Sequence, residues 1–443
     1  MRYIILFIST LLITLPVFGE NKDYFFEQVS SDVGFSFNAV NSIVEDNYGF
    51  VWFGCSNGLY YYNTAQFTKY NFDPQKNDSP PSNIITNLYK DSIGRIWICT
   101  DNGICYFNEL SNSFIRLHLK ESNNYLNSMN VSSIVQYSNN KYLIVINMQL
   151  YFFNMDDLVL QKVKIGEDTA DISYLGRNED NRIYVGNTSG QVFINTTSIS
   201  EFRLIYHSQS GAINTLSYIN NSIWVAVENS GIEVVCIDGE FKTRYRKEYS
   251  GSKHITNNWV RKIISRENGE IWIGTYEGIT VINAEGNHTI KHTPYNGLPH
   301  NSIYELYLDR NDCIWLGTWS GGLAYYSDLN YKFPHVIITK NNVPISNSVI
   351  SSFTEDRNGN ILVGSETSGL ISFNPDKNIF VDIEPKVNFP IYRIKSLSTD
   401  TNGRHWIGTF QEGLWYMDGN RLRMVESDLD RNIISSLLPV ENG

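Results

Sequence analysis

The chain has 443 residues, which is too long for a single compact domain of ordinary size. Several domains or a repeat architecture are therefore expected. Hydrophobic residues make up 42% of the sequence and aromatic residues 14%, which argues against a disordered chain. The formal net charge of −11 argues against a general binder of nucleic acids or of anionic membranes. A neutral or weakly charged ligand fits this composition better.

The N-terminal segment has the pattern of a secretory signal peptide. Arg2 provides the positive charge, an apolar core runs from Tyr3 to Leu15, and Pro16 ends that core. Val17-Phe-Gly19 then places small residues where a signal peptidase requires them, before Glu20. The apolar core is too short to span a bilayer, and no later stretch has the roughly 18 apolar residues that a membrane helix needs. We therefore predict a signal peptide at 1–19 and an exported mature chain without a membrane segment.

A repeat centred on tryptophan organises the remaining sequence. The central residues of its nine copies lie at positions 52, 97, 143, 184, 224, 272, 315, 362 and 406, and their spacing of 40 to 48 residues is typical of propeller blades with four short strands. Six copies carry tryptophan there, and we interpret these six as structural anchors: Trp52, Trp97, Trp224, Trp272, Trp315 and Trp406.

Each copy reads as four strands in succession. A short apolar inner strand such as Ile303 to Leu308 comes first, followed by an Asp-x-x-Gly turn in several copies. The second strand carries the tryptophan, whose large ring can fill the space between neighbouring blades. A Gly-Thr-x-x-Gly turn leads into a third strand such as Leu59 to Tyr62, and a more polar strand such as Phe67 to Tyr70 forms the rim. The sequence therefore predicts an all-β protein.

The segment after the signal peptide resembles an outer strand that lacks its own three inner strands. Phe26 to Asn38 aligns with Ile290 to Asn301, which is an outer strand leading into the next blade. This segment can complete a seventh blade and close a ring, which removes open sheet edges. We predict a seven-bladed β-propeller over 20–327. Residues 328–443 are predicted to form the first two to three blades of a second, truncated propeller. A single ring of nine or ten blades is the less favoured alternative.

The copies resemble the two-component regulator propeller repeat, with Asn268-Gly-Glu-Ile-Trp-Ile-Gly-Thr-Tyr-Glu-Gly278 as a clear example. The resemblance implies the periplasmic sensor region of a hybrid two-component system, in which two propellers and a small β-sandwich precede a membrane helix and a histidine kinase. Members of that family sense oligosaccharides released from complex glycans. The kinase, receiver and membrane anchor of the family are absent from these 443 residues, so the resemblance implies no enzyme in this chain and dimerisation through a downstream region.

Motifs for catalysis or metal binding find no support in the sequence. Gly54-Cys-Ser-Asn-Gly58 matches G-x-S-x-G, but it lies between two predicted strands of a blade, whereas a nucleophile elbow joins a strand to a helix. The eight histidines show no metal-binding spacing, and no P-loop or C-x-x-C occurs, so no cofactor is predicted. The five cysteines are interpreted as core residues; a disulfide between Cys99 and Cys105 is the less favoured alternative.

Candidate ligand contacts lie in loops that enter inner strands or leave second strands, which share one face of a propeller near its channel. An exposed aromatic ring there can stack on a sugar ring while polar groups satisfy the hydroxyls. The candidates are Trp259, Arg261, Tyr276, Glu277, His300, Trp319 and Ser320. The simpler interpretation of each is ordinary loop packing.

Three functions are compatible with this reading. The favoured hypothesis is a periplasmic, ligand-sensing propeller region of a signal-transduction protein, with an oligosaccharide as its signal and with no role in binding nucleic acid. The alternatives are a propeller enzyme that acts on glycans, as a lyase or glycosidase, and a protein-interaction scaffold.

Overall fold

A computed structural model describes residues 24–29, 39–63, 66–109, 111–121, 124–125, 129–166, 170–178, 181–196, 198–284, 286–293, 296–328, 339–340, 343–344, 349–375, 379–382, 393–419, 421–426 and 433–439. The predicted signal peptide at 1–19 lies outside these residues. Contacts divide the chain into two units, residues 1–334 and 335–443.

The described residues of the first unit form seven sheets, here called blades 1 to 7, in each of which four strands pair antiparallel. Blade 1 consists of strands Val40–Glu45, Val51–Cys55, Gly58–Tyr62 and Phe67–Tyr70. Blade 2 consists of Ile85–Lys90, Ile96–Thr100, Gly103–Asn108 and Ser113–Arg116. Blade 3 consists of Val131–Ser138, Lys141–Ile146, Gln149–Asn154 and Val159–Lys162. Blade 4 consists of Ile172–Arg177, Ile183–Asn187, Gln191–Asn195 and Phe202–His207.

The last three blades follow the same order from inner to outer strand. Blade 5 consists of Ile213–Ile219, Ser222–Val227, Gly231–Cys236 and Phe241–Tyr245. Blade 6 consists of Val260–Ser265, Ile271–Thr275, Gly278–Asn283 and Gly286–Ile290. Blade 7 consists of Ile303–Leu308, Ile314–Thr318 and Leu323–Tyr326, with Glu27–Gln28 as its outer strand. The prediction of a seven-bladed, all-β propeller is confirmed.

The N-terminal strand closes the ring as the sequence predicts. Glu27 pairs with Tyr325 and Gln28 with Ala324, so the beginning of the chain completes the last blade. Phe26 is buried against Trp272 in the same core cluster. Each inner strand contacts the inner strand of the following blade, and the inner strand of blade 7 contacts that of blade 1. The inner strands of the seven blades therefore form a closed circle of contacts.

A hydrogen-bond network explains why the Asp-x-x-Gly turn and the tryptophan occur together. In blade 2 the Oδ1 atom of Asp91 accepts the backbone N–H groups of Ile93 and Arg95 at 3.1 and 2.9 Å. Its Oδ2 atom accepts the indole N–H of Trp97 at 3.0 Å. One carboxylate therefore orders the turn and fixes the ring.

The same arrangement recurs around the chain. The indole nitrogen donates to Asp46 in blade 1 at 3.2 Å and to Asp309 in blade 7 at 2.9 Å. In blade 6 an arginine occupies the aspartate position, and the indole of Trp272 donates instead to Glu270 at 3.1 Å.

The anchors pack across blade boundaries. Trp97 lies 4.8 Å from the ring of Tyr142 in blade 3, and Trp315 of blade 7 lies 5.6 Å from Phe53 of blade 1. Trp52, Trp97, Trp224, Trp272 and Trp315 are buried, whereas Trp406 is half-buried. These rings make apolar contacts that join one blade to the next.

Two details differ from the sequence-based expectations. Two short strands, Lys120–Glu121 and Asn124–Tyr125, extend the outer edge of blade 3 to a six-stranded sheet.

Cys99 and Cys105 are both buried free thiols. They face different core clusters, because they are not opposite each other in the pairing of their two strands. The alternative of a disulfide between them is therefore wrong.

The second unit contains two further four-stranded blades and a short hairpin. The first consists of Ile350–Glu355, Ile361–Ser365, Gly369–Asn374 and Ile379–Asp382. The second consists of Ile394–Thr399, His405–Thr409, Leu414–Asp418 and Arg421–Met424. The hairpin pairs Thr339–Lys340 with Val343–Pro344. Ile434 then donates its backbone N–H to Thr409 at 3.0 Å, beside the second of these blades.

Helical structure is almost absent from the described ranges, where a three-residue 3-10 turn, Gly251–Lys253, joins blades 5 and 6. Among those residues no helix has the length and apolar character needed to cross a membrane. In the same residues, no group of three or more His, Cys, Asp or Glu side chains is arranged to hold a metal ion.

Candidate functional site

Every inner strand of the first unit contains a β-bulge at its second residue. The pairing with the second strand skips that residue in all seven blades, so it is not opposed by a partner. In blades 1 to 5 the bulged residue is small and polar: Asn41, Thr86, Ser132, Ser173 and Asn214. In blades 6 and 7 it is Arg261 and Tyr304. Bulges re-aim side chains, so these two large residues are presented where the other blades have short ones.

The small bulged residues serve the ring itself. Asn41 donates to the carbonyl of Ile85 in the next blade at 2.8 Å, and Asn214 donates to Val260 at 3.3 Å. Arg261 has no equivalent bond: its Nη1 atom is buried and has no hydrogen-bond partner in the described residues. The departure from the repeat therefore gives up a structural contact and leaves a donor available.

Arg261 lies within an aromatic cluster formed by blades 6 and 7. Its guanidinium carbon is 3.6 Å from the ring centre of Tyr304 and 5.8 Å from that of Tyr276. The ring of Tyr304 is in turn 5.1 Å from that of Trp319, at an interplanar angle of 31°. Tyr276 and Trp319 remain 54% and 53% exposed. These four side chains lie next to one another, and we call them the blade 6–7 surface.

Burial affects the charged and phenolic groups of this surface in opposite directions. It lowers the pKa of Arg261, although the neighbouring Tyr304 and Tyr276 oppose that shift. It raises the pKa of Tyr304, although the charge of Arg261 opposes that shift. The surface thus offers a guanidinium and a hydroxyl beside exposed ring faces.

The other predicted residues have more local roles. The backbone carbonyl of Trp259 accepts the N–H of Tyr276 at 3.1 Å, which places Trp259, 38% exposed, beside the surface. Glu277 forms an ion pair with Lys247 at 2.7 Å, and hydrogen bonds from Lys247 and Asn257 lower the pKa of its carboxyl group.

His300 and Ser320 complete the predicted set. His300 accepts the backbone N–H of Ser302 through Nδ1 at 2.9 Å, so it stabilises its own turn. Ser320 is exposed next to Trp319. The structure therefore brings Arg261, Tyr276 and Trp319 together and places Trp259 at their edge.

Tyr304 and Lys247 are the site residues that the sequence reasoning did not find. Tyr304 carries a usable signal, because it is the second residue of an inner strand where most copies have Asn, Ser or Thr. Lys247 lies in the connection between blades 5 and 6, and nothing in the repeat identifies it.

The segment Gly54–Gly58 is not a nucleophile elbow. Strands Val51–Cys55 and Gly58–Tyr62 pair directly on either side of a two-residue turn, so a hairpin replaces the strand and helix that such an elbow requires.

Comparison with known proteins identifies the repeat. A sequence profile of the two-component regulator propeller matches residues 34–57, 79–102 and 297–320. The chain carries two-component regulator propeller repeats. These matches coincide with inner strands and tryptophan strands of blades 1, 2 and 7.

A histidine kinase of Formosa agariphila is 22% identical to this chain over 198 residues, which are 43% of this chain and 14% of the kinase. The extracellular domain of a protein designated a hybrid two-component system, from B. thetaiotaomicron, has the same fold, with a TM-score of 0.61 and 20% identity. The match covers 92% of this chain and 55% of that domain, so the chain spans about half the length of the domain.

A virginiamycin B lyase of Staphylococcus aureus, solved with quinupristin, is also similar in fold. Its TM-score is 0.52 at 12% identity, and the match covers 68% of this chain and 98% of the lyase. At that identity the likeness concerns the fold alone.

Proposed function

We propose that this chain is the exported ligand-sensing region of a two-component signal-transduction protein, and that its signal is an oligosaccharide bound at the blade 6–7 surface. The regulator propeller repeats and the similarity to a histidine kinase support the sensor role. The observation that carries the location is the replacement of small bulged residues by Arg261 and Tyr304, which opens an aromatic surface at one sector of the ring.

The chemistry of the surface favours a sugar over an apolar ligand. Exposed rings of Tyr276 and Trp319 can cover the C–H face of a pyranose. Arg261 has a buried donor without a partner, and a sugar hydroxyl or ring oxygen can accept from it. Such a ligand signals only if it binds two states of the receptor with different affinities.

Isothermal titration of the purified chain against a panel of neutral and acidic oligosaccharides tests the proposal. We expect at least one member to bind, and Trp319→Ala to weaken that binding by about tenfold or more, as removal of a central aromatic contact does. Met148→Ala is the matched control, because Met148 is 55% exposed in the corresponding turn of blade 3. If no member of the panel binds, the proposed ligand class is wrong. Turnover of an oligosaccharide by the protein would overturn the non-catalytic role.

A further inference from the structure

A cavity of about 300 Å³ lies between blades 4 and 5. Its lining comes from the inner strands and turns of these blades, with one residue from blade 6: Tyr174, Gly176, Arg177, Asn178, Tyr184, Thr215, Leu216, Ser217, Tyr218, Ile223 and Lys262. Asn178 follows the last residue of its inner strand, whereas Arg261 is the second residue of its own. The cavity therefore reaches the opposite end of the inner strands from the blade 6–7 surface.

The cavity exists because blade 4 departs from the repeat at two linked positions. Tyr184 occupies the anchor position, where blades 1, 2, 5, 6 and 7 have the larger tryptophan. Asn178 occupies the position of the turn aspartate: its Oδ1 atom still accepts the backbone N–H of Arg182 at 2.8 Å, as the aspartates do at this position. Its Nδ2 atom replaces the carboxylate oxygen that accepts the indole N–H in blades 1, 2 and 7. The ring and its acceptor have been lost together.

A glycine enlarges the same space. Gly176 stands in the inner strand where blades 1, 2, 6 and 7 have Val44, Tyr89, Ile264 and Tyr307. No positive φ requires glycine at this position. A Cβ atom there would overlap the hydroxyl group of Tyr174, which donates to the carbonyl of Leu216 at 2.9 Å. The glycine therefore makes room for a polar side chain at the cavity wall.

Two residues of the cavity wall carry donor atoms without partners. The Nε atom of Arg177 and the Nδ2 atom of Asn178 are buried and have no hydrogen-bond partner in the described residues. A buried donor without an acceptor is energetically unfavourable, and a bound acceptor would remove that cost. Lys262 adds a second cation, although it pairs with Glu305 at 2.6 Å beyond the lining. No acidic side chain is among the lining residues.

We propose that this cavity is a second ligand site, specific for a small carboxylate of about the size of a single uronate ring. The volume lies at the lower end of the range for small-molecule pockets, about 300–1,000 Å³, so one ring fits and an oligosaccharide does not. The carboxylate accepts from Arg177 and Asn178, and hydroxyl groups of the ligand face Thr215 and Ser217. This site is independent of the proposed oligosaccharide site, since the two share no residue.

The test uses glucuronate and glucose, which differ in the carboxylate alone. We expect glucuronate, and not glucose, to bind the full chain in a calorimetric titration and to raise its unfolding temperature. The double variant Tyr184→Trp/Asn178→Asp restores the anchor and the acceptor found in blade 2, and we expect it to fold and to lose glucuronate binding. Binding that persists in this variant, or equal binding of both sugars, overturns the proposal.

Arg177→Gln provides a second arm that leaves the volume of the cavity nearly unchanged. We expect it to weaken glucuronate binding by about tenfold, because an amide cannot replace the charge of the guanidinium. Trp319→Ala, at the blade 6–7 surface, should leave glucuronate binding unchanged. Failure of glucuronate to bind the wild-type chain contradicts this site without affecting the proposed oligosaccharide site, and loss of oligosaccharide binding in Trp319→Ala does not bear on the cavity.

Discussion

Blades 2 and 4 have the same four strands but differ in what fills the space beside them. In blade 2, Asp91 holds Trp97, and that ring is fully buried against blade 3. In blade 4, Asn178 and Tyr184 take these two positions, and a cavity lies beside them. The comparison teaches that the repeat residues hold the ring together, and both proposed ligand sites lie where a blade departs from the repeat.

The bulged positions teach the same lesson at the other end of the inner strands. Blades 1 to 5 carry small residues there. The side chains of two of these, Asn41 and Asn214, donate hydrogen bonds to the next blade. Blades 6 and 7 carry Arg261 and Tyr304, which stack on each other instead. The two sectors of one ring therefore differ at the same position, and the surface that we propose to bind the ligand lies in blades 6 and 7.

The largest effect that the comparison predicts is the loss of an anchor. Trp97→Ala should lower the free energy of unfolding by about 3–5 kcal/mol, because a fully buried ring leaves a large cavity. Tyr184→Ala should cost less, since Tyr184 already borders open space. Urea unfolding of both variants measures the difference, and an equal or greater loss for Tyr184→Ala would contradict the comparison.

Removing the charge of the turn aspartate should have the next largest effect. Asp91 also accepts a hydrogen bond from the hydroxyl of Tyr142 at 2.8 Å. Asp91→Asn can therefore place an amide N–H group against the Tyr142 hydroxyl and the indole N–H of Trp97. We expect a loss of about 1.5–3 kcal/mol, the range for hydrogen bonds to a charged group. Asp238→Asn is the control, because Asp238 caps an exposed turn and its change should stay within about 0.5 kcal/mol. Equal effects in urea unfolding would refute the special role of Asp91.

The ion pair that joins blade 7 to blade 1 should contribute less. Arg310 pairs with the buried Glu45, but its own side chain is 45% exposed. Solvent weakens such a pair, so Arg310→Ala should lower stability by about 1 kcal/mol or less. The difference from the wild type should shrink in high salt. A large and salt-independent loss would show that closure depends on this contact more than on the N-terminal strand.

The smallest predicted effect is a pH dependence in the second unit. Burial alone would raise the pKa of Asp400, but hydrogen bonds from the indole of Trp406 and the backbone N–H of Arg404 lower it below its ordinary value of 3.8. A lowered folded-state pKa stabilises the fold above the ordinary value, and this contribution disappears as the pH falls through the folded-state value. The unfolding temperature should therefore fall below pH 3.8, and less steeply in Asp400→Asn. Identical pH profiles for the two proteins would contradict this assignment.

Much of the ring could be predicted because its determinants are local and repeated. Trp97 and the Asp91 turn identify a blade within a dozen residues, and Phe26 aligns with an outer strand without inner partners. The six-stranded edge at Lys120–Glu121 could not be predicted, since two-residue strands carry no periodicity.

The candidate sites were only partly predictable from the sequence. Trp319 stands out as a tryptophan away from the anchor position, whereas Tyr304 becomes visible only when inner strands are aligned on their bulges. The cavity between blades 4 and 5 depends on volumes at Tyr184 and Gly176, which a one-dimensional pattern does not contain.

Hydrogen exchange of the chain bound to the tightest oligosaccharide of the panel tests most directly whether departures from the repeat mark the binding surface. The account predicts that amides slowed by the ligand lie in residues 256–261, 275–277, 302–304 and 318–320, with the corresponding loops of blades 1 to 3 unchanged. Protection centred on blades 1 to 3, with none at Arg261 or Trp319, would contradict it.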